Sequence, residues 1–415
     1  LARAAALNLD RFWNAAKSAP SGPVDVIDMF CGCGGMSAGF RAVNGAVPAY
    51  RLAAAVDVEP VANRTYEANL GLAPAQVDVA ALARRPKMLE AVLASRRPGA
   101  PLVLIGCAPC QGFSSHRNKA GDKDPRNSLF VDFARIASSL RPDAVVMENV
   151  PELLTEQYWP LVAAAREVLE SSGYYVHLMV HNVAEFGVPQ ERFRALMLAM
   201  RKPFAVPRGF LERGNFRTVR EAIRALPPVS AGERDPSDEQ HFSAGHKAST
   251  LATIRAVPKD GGSRPENVGP ECLRRAAEKT GRAAYEDVYG RLFWDRPAIT
   301  ITAYARNPAS GRFVHPAQDR GLTIREAALL QAFPSTYSFE GSLDDRFRQI
   351  GNAVPAGFAS YLAAHVLGEL LAPSVAEADF DRGITQAVGP SFSRLIPALK
   401  AGHRQQGLAP VAASR

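Results

Sequence analysis

The chain has 415 residues, of which 47% are hydrophobic and 22% charged, and its formal net charge is +8. That is enough to bury a sizeable core, and it suggests one large domain plus a smaller one. Apolar runs fall short of the ~20 residues of a membrane span, residues 1–20 lack a signal-type apolar stretch, and five scattered cysteines do not form a disulfide framework; a cytoplasmic protein in a reducing compartment is expected.

In chain order, short apolar and β-branched runs predict strands at residues 24–30, 53–58, 102–106, 144–148, 174–181 and 193–200. Helix-compatible stretches lie between them at 60–69, 80–96, 129–140 and 161–171. This alternation predicts an α/β fold, with a mostly parallel sheet, helices on both faces and ligands at the carboxyl ends of the strands. From Pro203 the rhythm breaks into a Gly-, Pro- and Arg-rich region that reads as a second, loop-rich domain. Helical patterning returns at 323–331 and 355–371. The second of these is apolar at Phe358, Leu362, Val366 and Leu370, so it should pack back onto the sheet. The expected division is 1–203, 204–298, a return to the first domain over 299–372, and a mobile Ala-, Gly- and Pro-rich tail at 373–415.

Charge is uneven along this plan. Residues 201–320 hold 21 Lys+Arg against 14 Asp+Glu, a surplus of +7, which leaves about +1 for the rest. A basic block is a footprint for a polyanion such as nucleic acid. A merely solvated, Arg-rich surface is the alternative.

The first strand runs into Cys31-Gly-Cys-Gly-Gly35, a glycine turn ahead of a helix. Such a turn allows close backbone approach to an anionic group at the helix start. Gly32 and Gly34 fit a dinucleotide fingerprint, but Ser37 occupies its third glycine position, which weakens a nicotinamide or flavin reading. Asp57, ending the second strand, is placed for ribose hydroxyls, and Asp78 for an adenine amino group. Each acid alone reads as a surface or capping residue. Together with the loop they point to an adenosine-containing cofactor.

The third strand ends at Gly-Cys-Ala-Pro-Cys110. Pro109 fixes its own φ and biases Ala108 toward extended geometry, which projects Cys110 from the sheet rim as a nucleophile would be. A buried, inert thiol is the alternative. Glu148 ends the fourth strand, where a carboxylate is costly to bury unless paired or protonated. Arg192 and Arg194 lie two apart, hence on one face if extended. Cys31 and Cys33 with Cys107 and Cys110 could instead form a zinc or redox site, though both pairs sit in loops after buried-type strands.

In this order the motifs resemble those of the DNA cytosine-5 methyltransferases. The matching pieces are Asp28-Met-Phe-Cys-Gly-Cys-Gly-Gly35, Asp57, Asp78, Pro109-Cys-Gln111, Glu148-Asn-Val150 and Gln190-Glu-Arg-Phe-Arg194. Then come Arg320-Gly-Leu-Thr-Ile-Arg-Glu326, Gln331-Ala-Phe-Pro334 and Gln349-Ile-Gly-Asn-Ala-Val-Pro355. The resemblance implies a Rossmann-like S-adenosylmethionine-dependent methyltransferase sheet and a smaller, loop-rich target-recognition domain. It implies that Cys110 attacks carbon 6 of a flipped cytosine, that Glu148 holds or protonates ring nitrogen 3, that Arg192 meets the base carbonyl and that Arg194 fixes Cys110 and the ring. For S-adenosylmethionine it implies Phe30 near the adenine and Gly32, Gly34 and Gly35 along the methionine portion. Asp57 would hold the ribose and Asp78 the adenine amino group. Val58 and Pro109 would form walls, and Asn352 and Val354 would close the methionine end. Gln111, Ser114, Thr300 and Thr302 are expected at DNA, and no metal is expected.

Two positions depart from the family pattern. Asp57 stands where Glu is frequent, and Gly-Cys-Ala-Pro-Cys replaces a more usual Gly-Gly-Pro-Pro-Cys, so Cys107 reads as a small packing residue. The arginines of the middle region should mostly hold phosphates. Double-stranded DNA is the expected partner, with the protein a monomer at the bacterial nucleoid. A cognate restriction endonuclease fits but is not required physically. The alternatives are an RNA cytosine-5 methyltransferase on the same core and a catalytically silent DNA-binding protein. The substantial middle region argues against the first, and intact Cys110, Glu148 and Arg192 against the second.

Overall fold

The computed structural model describes residues 1–109, 128–280 and 287–390. Its main sheet contains β1 (Val24–Met29), β2 (Tyr50–Val56), β3 (Leu102–Gly106), β4 (Ala144–Asn149), β5 (Tyr175–Asn182) and β6 (Phe193–Met200), in the order β2-β1-β3-β4-β6-β5. The first four strands pair in parallel, and β6 runs antiparallel to both neighbours. The link from β5 to β6 is too short for a parallel crossover, which needs about a dozen residues or more, so the chain must reverse there.

Successive strand residues face opposite sides. Ile27 and Met29 join Leu104, Met147 and Phe133 in one core layer, while Val24 and Val26 join Val103, Ile105, Phe40 and Phe358 in the other. With both faces covered, the strands are mainly apolar, and their charged residues such as Asp28, Glu148 and Arg194 are exceptions. Helices Leu129–Leu140 and Trp159–Ser171 cover the first face, and Gly35–Val43 and Ala356–Leu371 the second. The last two helices pack so closely at Gly39 that a Cβ there would lie 2.4 Å from the Ser360 nitrogen.

Three expectations are corrected. The helix expected over 80–96 is two, Val79–Arg84 and Pro86–Val92, because Pro86 cannot continue a helix and turns Arg85 out of helical geometry. Leu343–Leu371 is long and apolar enough by length and composition to cross a membrane, contrary to the reading of short apolar runs. It is two helices broken at 353–355, and 72% of its most apolar window is buried in the protein, the place of core helices. The tail is not free at its start. Ile384 N–H donates to the Leu178 carbonyl at 2.6 Å, Phe380 packs edge-on against Tyr175, and the edge of β5 is thereby covered.

Packing is continuous across 203/204. Phe204 belongs to the sheet core, Phe210 lies against Tyr361, and Val219 and Ile223 pack with Ile324 and Leu330. A small separate cluster of Ile254, Val257, Tyr289 and Val314 forms only beyond them.

Candidate active site

At the carboxyl end of β1 the chain turns through Phe30 (φ 61°), Gly32 (φ 50°) and Gly34 (φ 87°) into helix Gly35–Val43. A left-handed phenylalanine is strained, and hydrogen bonds from around the loop hold it in place. Gly32 N–H donates to Asp57 Oδ2 at 2.8 Å, Glu59 N–H donates to Oδ1 at 2.9 Å, and Tyr337 donates to the Cys33 carbonyl at 2.6 Å. Behind the loop, buried Asp28 accepts from Ser37 Oγ at 2.6 Å. Burial pushes the Asp28 carboxyl up to about 8, against the Ser37 hydrogen bond and with the help of the Asp57 charge.

In front of the loop lies a cavity of about 290 Å³. Phe30, Gly32, Gly35, Asp57, Val58, Asp78, Pro109, Asn352 and Val354 all line it, so nearly the whole expected cofactor set converges. Gly34 does not line it. A Cβ there would meet Leu70 at 2.6 Å and Tyr66 and Tyr337 at 2.9 Å, so this glycine serves the turn and the packing behind it. Asp78 caps helix Val79–Arg84 through Ala80 N–H at 2.9 Å, and burial pushes the Asp57 carboxyl upward against its backbone donors. The sequence reading missed Glu59 and Arg348 on the lining. Arg348 lies four residues before Asn352 on helix Leu343–Asn352, a spacing that puts both on one face.

The donor set suits S-adenosylmethionine. Phe30 and the 53% exposed Val58 offer apolar faces for an adenine, carboxylates stand ready for hydroxyl and amino donors, and the glycine turn admits close approach.

Beside the cavity, Glu148 is buried at the end of β4. Arg194 Nε, from β6, lies 2.8 Å from Glu148 Oε1. Cys107 Sγ donates to Glu148 Oε2 at 2.8 Å, so this thiol is a neighbour of the carboxyl and more than a packing residue. Asn149 Nδ2 ties the 107–109 loop to β4 through the Ala108 carbonyl at 3.1 Å. Cys110, Gln111 and Ser114 lie outside the described residues.

Arg192 lies one residue before strand β6, which begins at Phe193, and its carbonyl accepts from Val183 N–H at 2.9 Å. Buried Arg192 donates to the carbonyls of Ile301 (2.9 Å), Gly351 (3.0 Å) and Ala353 (3.3 Å), joining the returning chain to helix Leu343–Asn352. Thr300 Oγ1 donates to the Glu191 carbonyl at 3.0 Å, and Thr302 Oγ1 accepts weakly from Tyr304 N–H at 3.3 Å, both next to that junction.

Part of the basic block 201–320 faces inward. Arg264, Arg291, Arg312 and Arg320 are buried. Arg291 donates to the carbonyls of Ile254, Val257, His315 and Gln318 and pairs with Asp319. Arg320 and Glu326 form a bidentate pair, both contacts 2.7 Å. Burial raises the Glu326 carboxyl, but Arg320 outweighs it and holds Glu326 down at about 2. Burial also holds His315 down at about 4, against the attraction of Glu326. A guanidinium has five donors, which suits loops whose carbonyls lack secondary-structure partners.

Residues 24–367 match the family model of the C-5 cytosine-specific DNA methylases. The chain is 33% identical to the Type II methylase M.HgiDII of Herpetosiphon aurantiacus, over 82% of this chain and 94% of that one. It is 33% identical to the Type II methyltransferase M1.HphI of Haemophilus parahaemolyticus, over 82% and 86%. Among solved structures, a DNA modification methyltransferase encoded within an Escherichia coli prophage shares the fold with a TM-score of 0.60 at 23% identity, over 84% of this chain and 99% of that one. The sheet order, the convergent cavity and a family match spanning most of the sequence agree: this chain belongs to the C-5 cytosine-specific DNA methylases, enzymes that transfer the methyl group of S-adenosylmethionine to carbon 5 of cytosine in DNA.

Proposed function

We propose that Cys110 is the nucleophile, Glu148 the group that meets ring nitrogen 3, and Arg194 the cation that orients Glu148 and the base. The observation that carries this is the Glu148–Arg194 contact of 2.8 Å beside the cavity, with Pro109 on the cavity wall and Cys110 the next residue. Bound S-adenosylmethionine supplies an electrophilic methyl carbon. The Cys110 sulfur bonds to carbon 6 of an extruded cytosine, and ring electrons move toward nitrogen 3, where Glu148 delivers a proton. Carbon 5 becomes nucleophilic and takes the methyl group, with S-adenosylhomocysteine departing as a neutral thioether. Its proton then leaves to a base, the carbon–sulfur bond breaks, nitrogen 3 returns its proton to Glu148, and the aromatic ring and the thiolate are restored.

For the cofactor, Phe30 and Val58 hold the adenine, Asp78 its amino group, Asp57 the ribose, and Asn352 with Val354 the methionine end. Each Asp57 oxygen accepts one backbone N–H and has a second lone pair for a ribose hydroxyl. Residues 1–203 and 299–372 form the catalytic part. The region between them reads a short duplex sequence, and Thr300 and Thr302 lie near a phosphate beside the extruded base. The Type II names of the relatives support a restriction–modification role with a separate endonuclease. The enzyme works as a monomer in the bacterial cytoplasm.

The test is base-resolution methylation sequencing of DNA from a methylation-free host expressing the protein, beside a Cys110→Ala control. 5-Methylcytosine in one short sequence, only with Cys110 present, is the expected result. Soluble protein that binds S-adenosylmethionine but leaves DNA unmethylated overturns the reading and moves the question to RNA.

A further inference from the structure

The Glu148 carboxyl has a different protein neighbour at each oxygen. Arg194 Nε lies 2.8 Å from Oε1, and the Cys107 thiol donates to Oε2 at 2.8 Å. Oε1 accepts no hydrogen bond among the described residues, so the Arg194 contact is an ion pair, and the thiol's hydrogen bond to Oε2 is the directional contact that sets the carboxyl about its last torsion. Cys107 is itself well anchored. It follows Gly106, where a Cβ would meet Phe133 at 2.6 Å and the Met29 carbonyl at 2.7 Å, and it precedes Ala108, whose carbonyl is held by Asn149. Cys107 also lines the cofactor cavity. The thiol therefore stands between the cavity and the carboxyl and touches both.

We propose that Cys107 is a positioning residue for the methyl transfer: its thiol holds Glu148 Oε2 and so sets the angle at which the carboxyl meets ring nitrogen 3. This rests on the reading of Glu148 given above. The thiol takes no part in bond making. Its contribution is orientation, which is worth most in the step where Glu148 acts and little in binding either substrate. Its place on the cavity wall adds a second consequence: S-adenosylmethionine in the cavity shields the Cys107 sulfur from solvent reagents.

The experiment uses the full chain and a duplex carrying the sequence it methylates. In single-turnover transfer with saturating S-adenosylmethionine, Cys107→Ala is expected to be slower by about 10-fold, the scale of a lost hydrogen bond to a charged group. KM for DNA and Kd for S-adenosylmethionine should change by less than about twofold, because uniform binding is untouched. Cys107→Ser keeps a donor and should recover the rate to within about threefold of the parent. In parallel, mass spectrometry of iodoacetamide labelling should show Cys107 protected when S-adenosylmethionine is added. The proposal is overturned if the alanine variant is as fast as the parent. It is also overturned if serine and alanine are equally slow with equally weakened cofactor binding, the pattern of a packing residue. A Glu148→Gln enzyme as fast as the parent sinks the underlying reading instead, and the two failures are thus distinct.

Discussion

The sheet and the middle region use their charged residues in opposite directions. On the sheet, Asp57, Glu148 and Arg194 sit at strand ends and converge on one cavity and its rim. Across residues 201–320, Arg264, Arg291, Arg312 and Arg320 turn inward and bind the protein's own carbonyls and carboxylates. The +7 surplus of residues 201–320 therefore overstates the charge that faces DNA. A sheet supplies its own backbone partners and can present side chains outward. A loop-rich region must first satisfy its carbonyls, and long cationic side chains do so.

The sharpest break of this contrast is Glu148→Gln. It should lower methyl transfer by about 10²–10⁴-fold, the range of general acid–base catalysis, while the melting temperature and cofactor affinity stay near the parent's. Single-turnover kinetics beside calorimetry checks this. In the other region Arg291→Ala should act through folding alone. Leaving Asp319 and four carbonyls without their cation should cost about 3–5 kcal/mol, read as a lower urea midpoint. A fully folded Arg291→Ala protein with weakened DNA binding would mean that Arg291 faces DNA after all.

Packing in the sheet half is next in size. Gly39→Ala pushes a Cβ onto the Ser360 backbone and should cost about 1–3 kcal/mol, again by urea titration. The pH dependence belongs to the return segment. His315, at about 4, and Glu326, at about 2, both have folded values below their ordinary ones of 6.5 and 4.5. In such a case the unfolded chain binds more protons, so stability rises with pH across the window. The His315 contribution is complete above 6.5 and lost as pH falls toward 4, and that of Glu326 is complete above 4.5 and lost toward 2. Urea midpoints should therefore drop from pH 7 to pH 4.5, and His315→Asn, whose amide oxygen can replace the ring nitrogen as acceptor, should flatten that drop.

Exposed cations should give the smallest stability effect. Lys247 and Arg255 stand at the two ends of helix Ala248–Ala256. Alanine at either should move the melting temperature by no more than about 2 °C, as for ordinary surface changes. Each should nevertheless reduce the salt slope of DNA binding by about one if it neutralises a phosphate. An unchanged slope for both would place the DNA on another face.

Much of this protein was determined by local pattern. The six apolar runs became six strands, because a sheet covered on both faces needs continuous hydrophobic residues. The glycine turn after β1, Asp57, Asp78 and Asn352 reached one cavity because strand ends in such a sheet share one edge. Other features depended on partners far along the chain. That Arg194 meets Glu148 while Arg192 is held by the carbonyls of Ile301, Gly351 and Ala353 was decided by the tertiary structure. Cys107 became a neighbour of Glu148 because β3 and β4 lie side by side. The inward turn of Arg291 and Arg320 and the docking of the early tail on β5 were likewise invisible in composition. Periodicity reports which residues are buried, whereas the partner of a long charged side chain is chosen only when the folded chain brings an acceptor within reach.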